Sequence, residues 1–167
     1  MNATKANQKG TVLLVSLLIL LVLTLIGVTG ARVSILQERM TGNVADRHLA
    51  FQAAESALRQ AEAVLSDAAV PAFDGTGGFY PAGDANRPSW AGQQIEEGGG
   101  AASYNGEFEG VSRLPEYYVE QLPQISVPGV ETEVGTPTTE IQFYRITARG
   151  FGARPDTVVV VRSVYRP

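Results

Sequence analysis

"QKGTVLLVSLLILLVLTLIG", residues 8–27, governs how the rest of the chain is read. Thr11 to Ala31 is a run of 21 residues without a charge, and Arg32 ends it. A helix of that length covers about 30 Å, the thickness of a bilayer's hydrocarbon core. Lys5 and Lys9 are the only lysines, and both precede the run. Positive flanks stay in the cytoplasm, so the N-terminus is expected there and everything after Arg32 on the far side of the membrane. A secretory signal has a shorter apolar region, about 7–15 residues, closed by a small-x-small cleavage site. Here the run is longer and passes straight into helix formers, so a retained span is the better reading.

Beyond Arg32, "RVSILQERMTGNVADRHLAFQAAESALRQAEAVLSDAA" keeps helical spacing. Val33, Leu36, Met40, Val44, Phe51, Ala54, Leu58, Ala61 and Leu65 recur at intervals of three and four, with one gap near Arg47. Glu55 and Arg59 form an i, i+4 pair in the favourable order. Gly42 and Asn43 are the weak point, since glycine costs about 1 kcal/mol relative to alanine in a helix interior. One helix from Thr11 to Asp67 would reach about 85 Å, longer than a soluble domain needs. Its first half is expected in lipid or against other helices. Its second half, Phe51 to Leu65, is expected to lie on a globular head.

Composition narrows the chemistry. The 167 residues include no cysteine and one histidine, His48, so disulfides, thiolate chemistry and thiolate zinc sites are excluded. Without the two lysines, 11 arginines face 17 acids, which argues against nucleic acid as a partner.

The head is expected to be a helix laid across a small antiparallel sheet, an α+β arrangement. Residues 70–115 are rich in turn formers, with short strands expected near Tyr104–Phe108. "GTGGFYPAG" lacks the lysine and hydroxyl of a phosphate cradle and reads as a surface loop. Trp90 is expected to anchor this region on the core. "EYYVEQL", bounded by Pro115 and Pro123, alternates as a strand. "EIQFYRITARGF" and "DTVVVVRSVYR", joined by "GARP", read as an antiparallel hairpin. Within it Arg145, Thr147 and Arg149 alternate with Tyr144, Ile146 and Ala148, which predicts one polar and one buried face. Charge is segregated along the head: residues 68–140 hold 11 acids and 2 arginines, residues 141–167 hold 5 arginines and 1 acid. Such a split either steers contacts between heads or is solvated surface.

No catalytic arrangement is evident: there is no GxSxG elbow, no HExxH, and His48 sits beside Arg47 as an exposed helix histidine. Glu96–Glu97, Glu107/Glu109 and Glu131/Glu133 lack the ligand spacing of a calcium loop. No enzyme activity, cofactor or metal is expected.

Lys9–Gly10 followed by a long apolar helix resembles the class III signal of type IV prepilins. "ERMTGN" (38–43), "AFQAAESALRQAE" (50–62) and the ending "YRITARGFG…TVVVVRSVYR" resemble PilX-type minor pilins, well over residues 9–66 and loosely over 116–166. The resemblance implies a pilin-like lollipop. A leader, 1–10, would precede a membrane and assembly helix, 11–31. The helix would continue over 32–67, and residues 68–167 would form a periplasmic β-sheet head. It implies cleavage by prepilin peptidase between Gly10 and Thr11 and N-methylation of Thr11. It also implies an inner-membrane protein, N-terminus cytoplasmic, that later sits at the pilus tip, primes pilus assembly, and contributes to twitching motility and adhesion. The implied partners are other minor pilins, the major pilin, a tip adhesin and the inner-membrane assembly proteins.

Most pilins carry glutamate as the fifth residue after the cut; here that position is Val15. A carboxylate inside lipid costs roughly 2.5–3.5 kcal/mol unless paired. Its usual partner is a neighbouring amino terminus, and a subunit with valine there fits the filament's end. Thr24, Gly27, Thr29 and Gly30 mark either a place of close helix approach or ordinary tolerance within a membrane helix. A minor pseudopilin of type II secretion shares the same anchor logic, and a signal-anchored periplasmic binding protein that never polymerises is the alternative of a different class.

Overall fold

The computed structural model describes residues 9–90, 100–127 and 139–167; residues 1–8 of the expected leader, Glu96–Glu97 and Glu131/Glu133 lie outside them. One helix, α1 (Lys9–Ser66), is followed by seven strands: β1 (Phe79–Tyr80), β2 (Ala102–Ser103), β3 (Glu116–Gln121), β4 (Ile125–Val127), β5 (Thr139–Ile141), β6 (Tyr144–Phe151) and β7 (Val158–Tyr165). This is an α+β arrangement, with the helix running without interruption through Gly42 and Asn43. The chain divides into two compact units at Asn43/Val44.

In the first unit every residue from Thr11 to Asn43 is exposed, the apolar run included. By length and composition this part of α1 is able to cross a membrane. Several of its hydroxyls bond back within the helix. Ser16 donates to the Leu13 carbonyl (2.9 Å), Thr24 to Leu21 (2.7 Å), and Thr29 to Leu25 and Ile26 (2.9 Å each). Such back-bonding is how Ser and Thr are tolerated where no water is available. Gly27 and Gly30 have open space where a side chain would be.

In the second unit the main sheet has the order β1-β3-β6-β7, and β2 also pairs with β3. β6 and β7 form the expected antiparallel hairpin, in register from Tyr144↔Tyr165 to Phe151↔Val158. β3 pairs antiparallel with β6 from Glu116↔Arg149 to Gln121↔Tyr144. The other edge of β3 is shared: β2 covers Glu116 and Tyr117, and β1 covers Val119 and Glu120. β1 runs parallel to β3, so the sheet is mixed rather than antiparallel throughout.

Four expectations are corrected here. The strand expected at Tyr104–Phe108 is Ala102–Ser103 instead; the next free amide, that of Asn105, is taken by the Gln60 side chain of α1 at 2.9 Å. "GTGGFYPAG" is more than a surface loop, because Phe79 and Tyr80 at its centre form β1 and are buried. Gly78 makes this possible. Its φ is +90° and a Cβ would stand 2.7 Å from the Ala102 amide nitrogen. The stretch "EIQFYRITARGF" is two strands: Thr139–Ile141 turns away to pair with β4, and β6 begins at Tyr144.

The fourth correction concerns α1. Its buried face is Asp46, Ala50, Ala53, Ala54, Ala57, Ala61 and Leu65, while Phe51 is 43 % exposed. Small side chains let the helix backbone come down onto the sheet. At Gly150 of β6 an added Cβ would lie 2.2 Å from the Ala50 carbonyl oxygen and 2.3 Å from the Ala54 nitrogen. Around this contact Ala57, Ala61 and Leu65 pack with Phe79, Tyr117, Val119, Ile146 and Ala148. The end of α1 is tied to the hairpin by a hydrogen bond between the Ser66 and Tyr165 hydroxyls, 2.6 Å.

Candidate functional site

Gly10 and Thr11 lie in the first turns of α1. Thr11 and Val15 are one turn apart on a shared face, where with Val12, Ser16 and Ile19 they line a shallow apolar groove. Val15 is exposed, as is every residue from Thr11 to Asn43. The residues around it offer no charge to a neighbouring chain.

His48 is exposed as expected and borders an apolar groove with Val44, Arg47, Phe51 and Val159. Glu55 and Arg59 pair at 3.7 Å, largely exposed. Among the described residues, no three His, Asp or Glu side chains gather as a metal site would require.

The predicted polar face of the hairpin is not a solvent face. Thr147 is 0 % and Arg149 2 % exposed, the latter under the Trp90 ring. Trp90 anchors as expected: it packs edge-on against Tyr118 at 4.9 Å, and the Arg149 guanidinium stacks over its ring at 4.4 Å. Tyr80 closes the same cluster from β1 and gives its hydroxyl to the Gly100 carbonyl at 2.9 Å. Burial pushes the Tyr80 phenol up from its ordinary value, with Asp84 adding to the effect; burial alone does so for Tyr117.

The charge split along the sequence is used inside the head. Glu116 and Arg149 stand opposite each other across β3 and β6, as do Glu120 and Arg145. Arg149 donates to Glu116 Oε2 from Nε (3.0 Å) and Nη2 (2.7 Å), and Arg113 approaches Glu116 Oε1. Arg145 reaches Glu120 Oε2 at 3.2 Å, and Arg87 reaches Oε1 at 2.8 Å. The signal was present in the sequence. Two glutamates four apart in "EYYVEQ" and two arginines four apart in "YRITARG" face each other when the strands run antiparallel.

Asp46 is a second residue that sequence reasoning passed over. It is 9 % exposed, and its carboxylate accepts the Ala153 amide (2.6 Å), the Arg154 amide (3.4 Å) and Arg154 Nε (3.2 Å). The Thr157 hydroxyl is the largest influence holding its pKa below the ordinary value; burial opposes it, and the Arg154 side chain and the two amides assist. The helix thereby holds the β6–β7 turn.

A family model for the PilX N-terminal region matches residues 9–59, and one for the C-terminal region of the type IV pilus assembly protein PilX matches residues 50–167. No curated protein and no solved structure matches the chain.

Proposed function

The chain belongs to the PilX family of type IV pilus assembly proteins, and from that membership we propose that it is a minor pilin that helps prime pilus assembly and sits at or near the pilus tip. The observation that carries the tip position is Val15, an uncharged side chain one turn from Thr11 in an uncharged run. A subunit packed within the filament would present a carboxylate there to pair with a neighbour's amino terminus. A terminal subunit has no need of that pairing.

On this reading prepilin peptidase cuts between Gly10 and Thr11, Thr11 is N-methylated, and the apolar part of α1 serves first as inner-membrane anchor and then as assembly helix. The N-terminus lies in the cytoplasm and the head in the periplasm. The partners are the major pilin, other minor pilins, a tip adhesin and the inner-membrane assembly proteins. Twitching motility and adhesion follow from pilus number rather than from any chemistry of the head, which we read as structural and not enzymatic. The family description favours the pilus over the secretion pseudopilus.

Mass spectrometry of the membrane-bound chain tests the processing: a mature N-terminus at methylated Thr11 is expected, and an intact 1–10 leader in cells with active peptidase overturns it. Deletion of the gene is expected to reduce surface pili and twitching while protein secretion continues. The opposite pattern would assign the chain to the secretion machine.

A further inference from the structure

β7 is the last strand of the main sheet, and among the described residues no strand pairs with its outer edge. Gly152 donates to the Thr157 carbonyl at 2.8 Å, which makes these two a hydrogen-bonded pair at the hairpin end. Such pairs alternate along an antiparallel ladder, so Val159, Val161, Ser163 and Tyr165 bond to β6. Val158, Val160, Arg162 and Val164 therefore turn their N–H and C=O groups outward. No other backbone group among the described residues takes them. Edge strands are usually blunted by brevity, lysine, proline or a bulge. β7 has eight residues, no proline and one charge, Arg162, and its register with β6 is unbroken.

A second, independent observation lies on the α1 side of this edge. Val159 stands opposite Gly150, where α1 comes closest to the sheet. Beside it Val44, Arg47, His48 and Phe51, on the flank of α1, complete an apolar groove of about 390 Å³. Val44 and Phe51 are exposed there. A residue paired with Val159 from outside, about 4.8 Å farther out, would share its face and enter the groove. On the opposite face Arg162 is exposed, and no acidic side chain among the described residues pairs with it.

We propose that the outer edge of β7 accepts an extended segment of a partner protein as a further, antiparallel strand of the sheet. The open ladder supplies the affinity, and two side-chain positions supply the choice of partner. The residue opposite Val159 is large and apolar and fills the groove; the residue opposite Arg162 is acidic. These positions are three apart and so lie on opposite faces, as Val159 and Arg162 do. In an antiparallel partner the acid comes first, as in Glu-x-x-Leu. A second copy of the chain is a poorer occupant. Pairing β7 with itself over nearly its whole length sets the two Arg162 side chains opposite or diagonal to each other, where like charges repel. The site is read from the head alone and stands whichever machine the chain serves.

The test is calorimetric titration of the full chain in non-ionic detergent with the capped peptide Thr-Ser-Glu-Thr-Thr-Leu-Thr-Ser. Three companions are titrated beside it: lysine for glutamate, serine for leucine, and the parent N-methylated at the amides that face β7. Wild type is expected to bind the parent peptide and not the N-methylated one. The lysine peptide should bind about fivefold less well, the worth of exchanging an attractive cross-strand pair for a repulsive one. The serine peptide should bind about tenfold less well, for the lost burial of one apolar side chain. Arg162→Glu is expected to reverse the preference between glutamate and lysine. Val160→Pro removes an outward N–H without touching a bond to β6, a change that an edge strand tolerates. It is expected to melt within a few degrees of wild type and to bind none of the peptides. The N-methylated probe tests the ladder on unaltered protein, so the outcome does not hang on the folding of the proline variant. Wild type binding no peptide, or binding indifferent to N-methylation, to the leucine or to the glutamate, overturns the proposal. So does dimerisation of the chain alone that Val160→Pro abolishes, which gives the edge to a second copy.

Discussion

Arg149 gives two hydrogen bonds to a single oxygen of Glu116, directly opposite it across β3 and β6, while its guanidinium carbon sits 4.4 Å over the Trp90 ring. The arginine side chain is 3 % exposed and the glutamate 12 %. One buried ion pair therefore fixes three things together: the strand register, the position of Trp90 and the segment that closes the sheet's second face.

Removing one member of a buried pair leaves the other charge uncompensated, which costs about 3–5 kcal/mol. Glu116→Ala is expected at the lower end of that range, because Arg149 keeps its contact with Trp90. Arg149→Met with Glu116→Leu, which removes both charges and keeps volume, is expected to recover most of the loss. Urea unfolding of the detergent-solubilised chain, followed by Trp90 fluorescence, measures both. A Glu116→Ala midpoint equal to wild type would show the pair to be dispensable.

Gly150→Ala probes the contact between α1 and β6. The added methyl would meet the Ala50 carbonyl and the Ala54 nitrogen at 2.2 and 2.3 Å, and neither is a flexible side chain that can move aside. Helix and sheet must separate, so a loss of roughly 3 kcal/mol or more is expected, at the upper end for overpacked cores. Thermal unfolding by circular dichroism reads the shift, and an unchanged melting temperature would place α1 farther from the sheet.

These two positions also show what could be read in advance. The apolar run long enough to span a membrane, the continuous helix, β3 and the hairpin were legible because each rests on local periodicity or a turn signal. The buried face of α1 was not, since alanine looks alike at exposed and buried positions and the larger Phe51 drew the stripe a few tens of degrees off. β1 and β2 are two-residue strands in glycine-rich chain, and only their pairing with distant β3 makes them strands. Thr147 and Arg149 read as a solvent face because alternation reports polarity, not what a loop later folds over.

Asp46 makes stability depend on pH. Its folded pKa lies below the ordinary value of 3.8, with the Thr157 hydroxyl the leading cause. The unfolded chain therefore holds the proton more tightly. The stabilisation is complete above the unfolded value and is lost as pH falls through the folded one. Asp46→Asn is expected to destabilise the head by about 1.5–3 kcal/mol at pH 7, the worth of hydrogen bonds to a charged group. The gap should begin to narrow below pH of about 4, where the unfolded chain's carboxylate takes up its proton, and close as pH falls through the lower folded value. Unfolding curves at neutral and acid pH measure it; a gap that is the same at both would mean the charge on Asp46 contributes nothing.

Val15→Glu tests the proposed assembly role. The substitution places a carboxylate on the open apolar face shared with Thr11, within the uncharged run. Unpaired in hydrocarbon, it costs up to roughly 2.5–3.5 kcal/mol, less where it lies near the membrane interface. If the chain terminates the filament, no neighbouring amino terminus lies ahead to pair with the new charge. The variant should then insert normally or slightly less well, give fewer pili, or move from the tip into the shaft, where pairing is available. Counting pili by electron microscopy and locating the chain along them by immunogold labelling distinguish these outcomes. A pilus number and tip labelling unchanged from wild type would remove Val15 as the determinant of position.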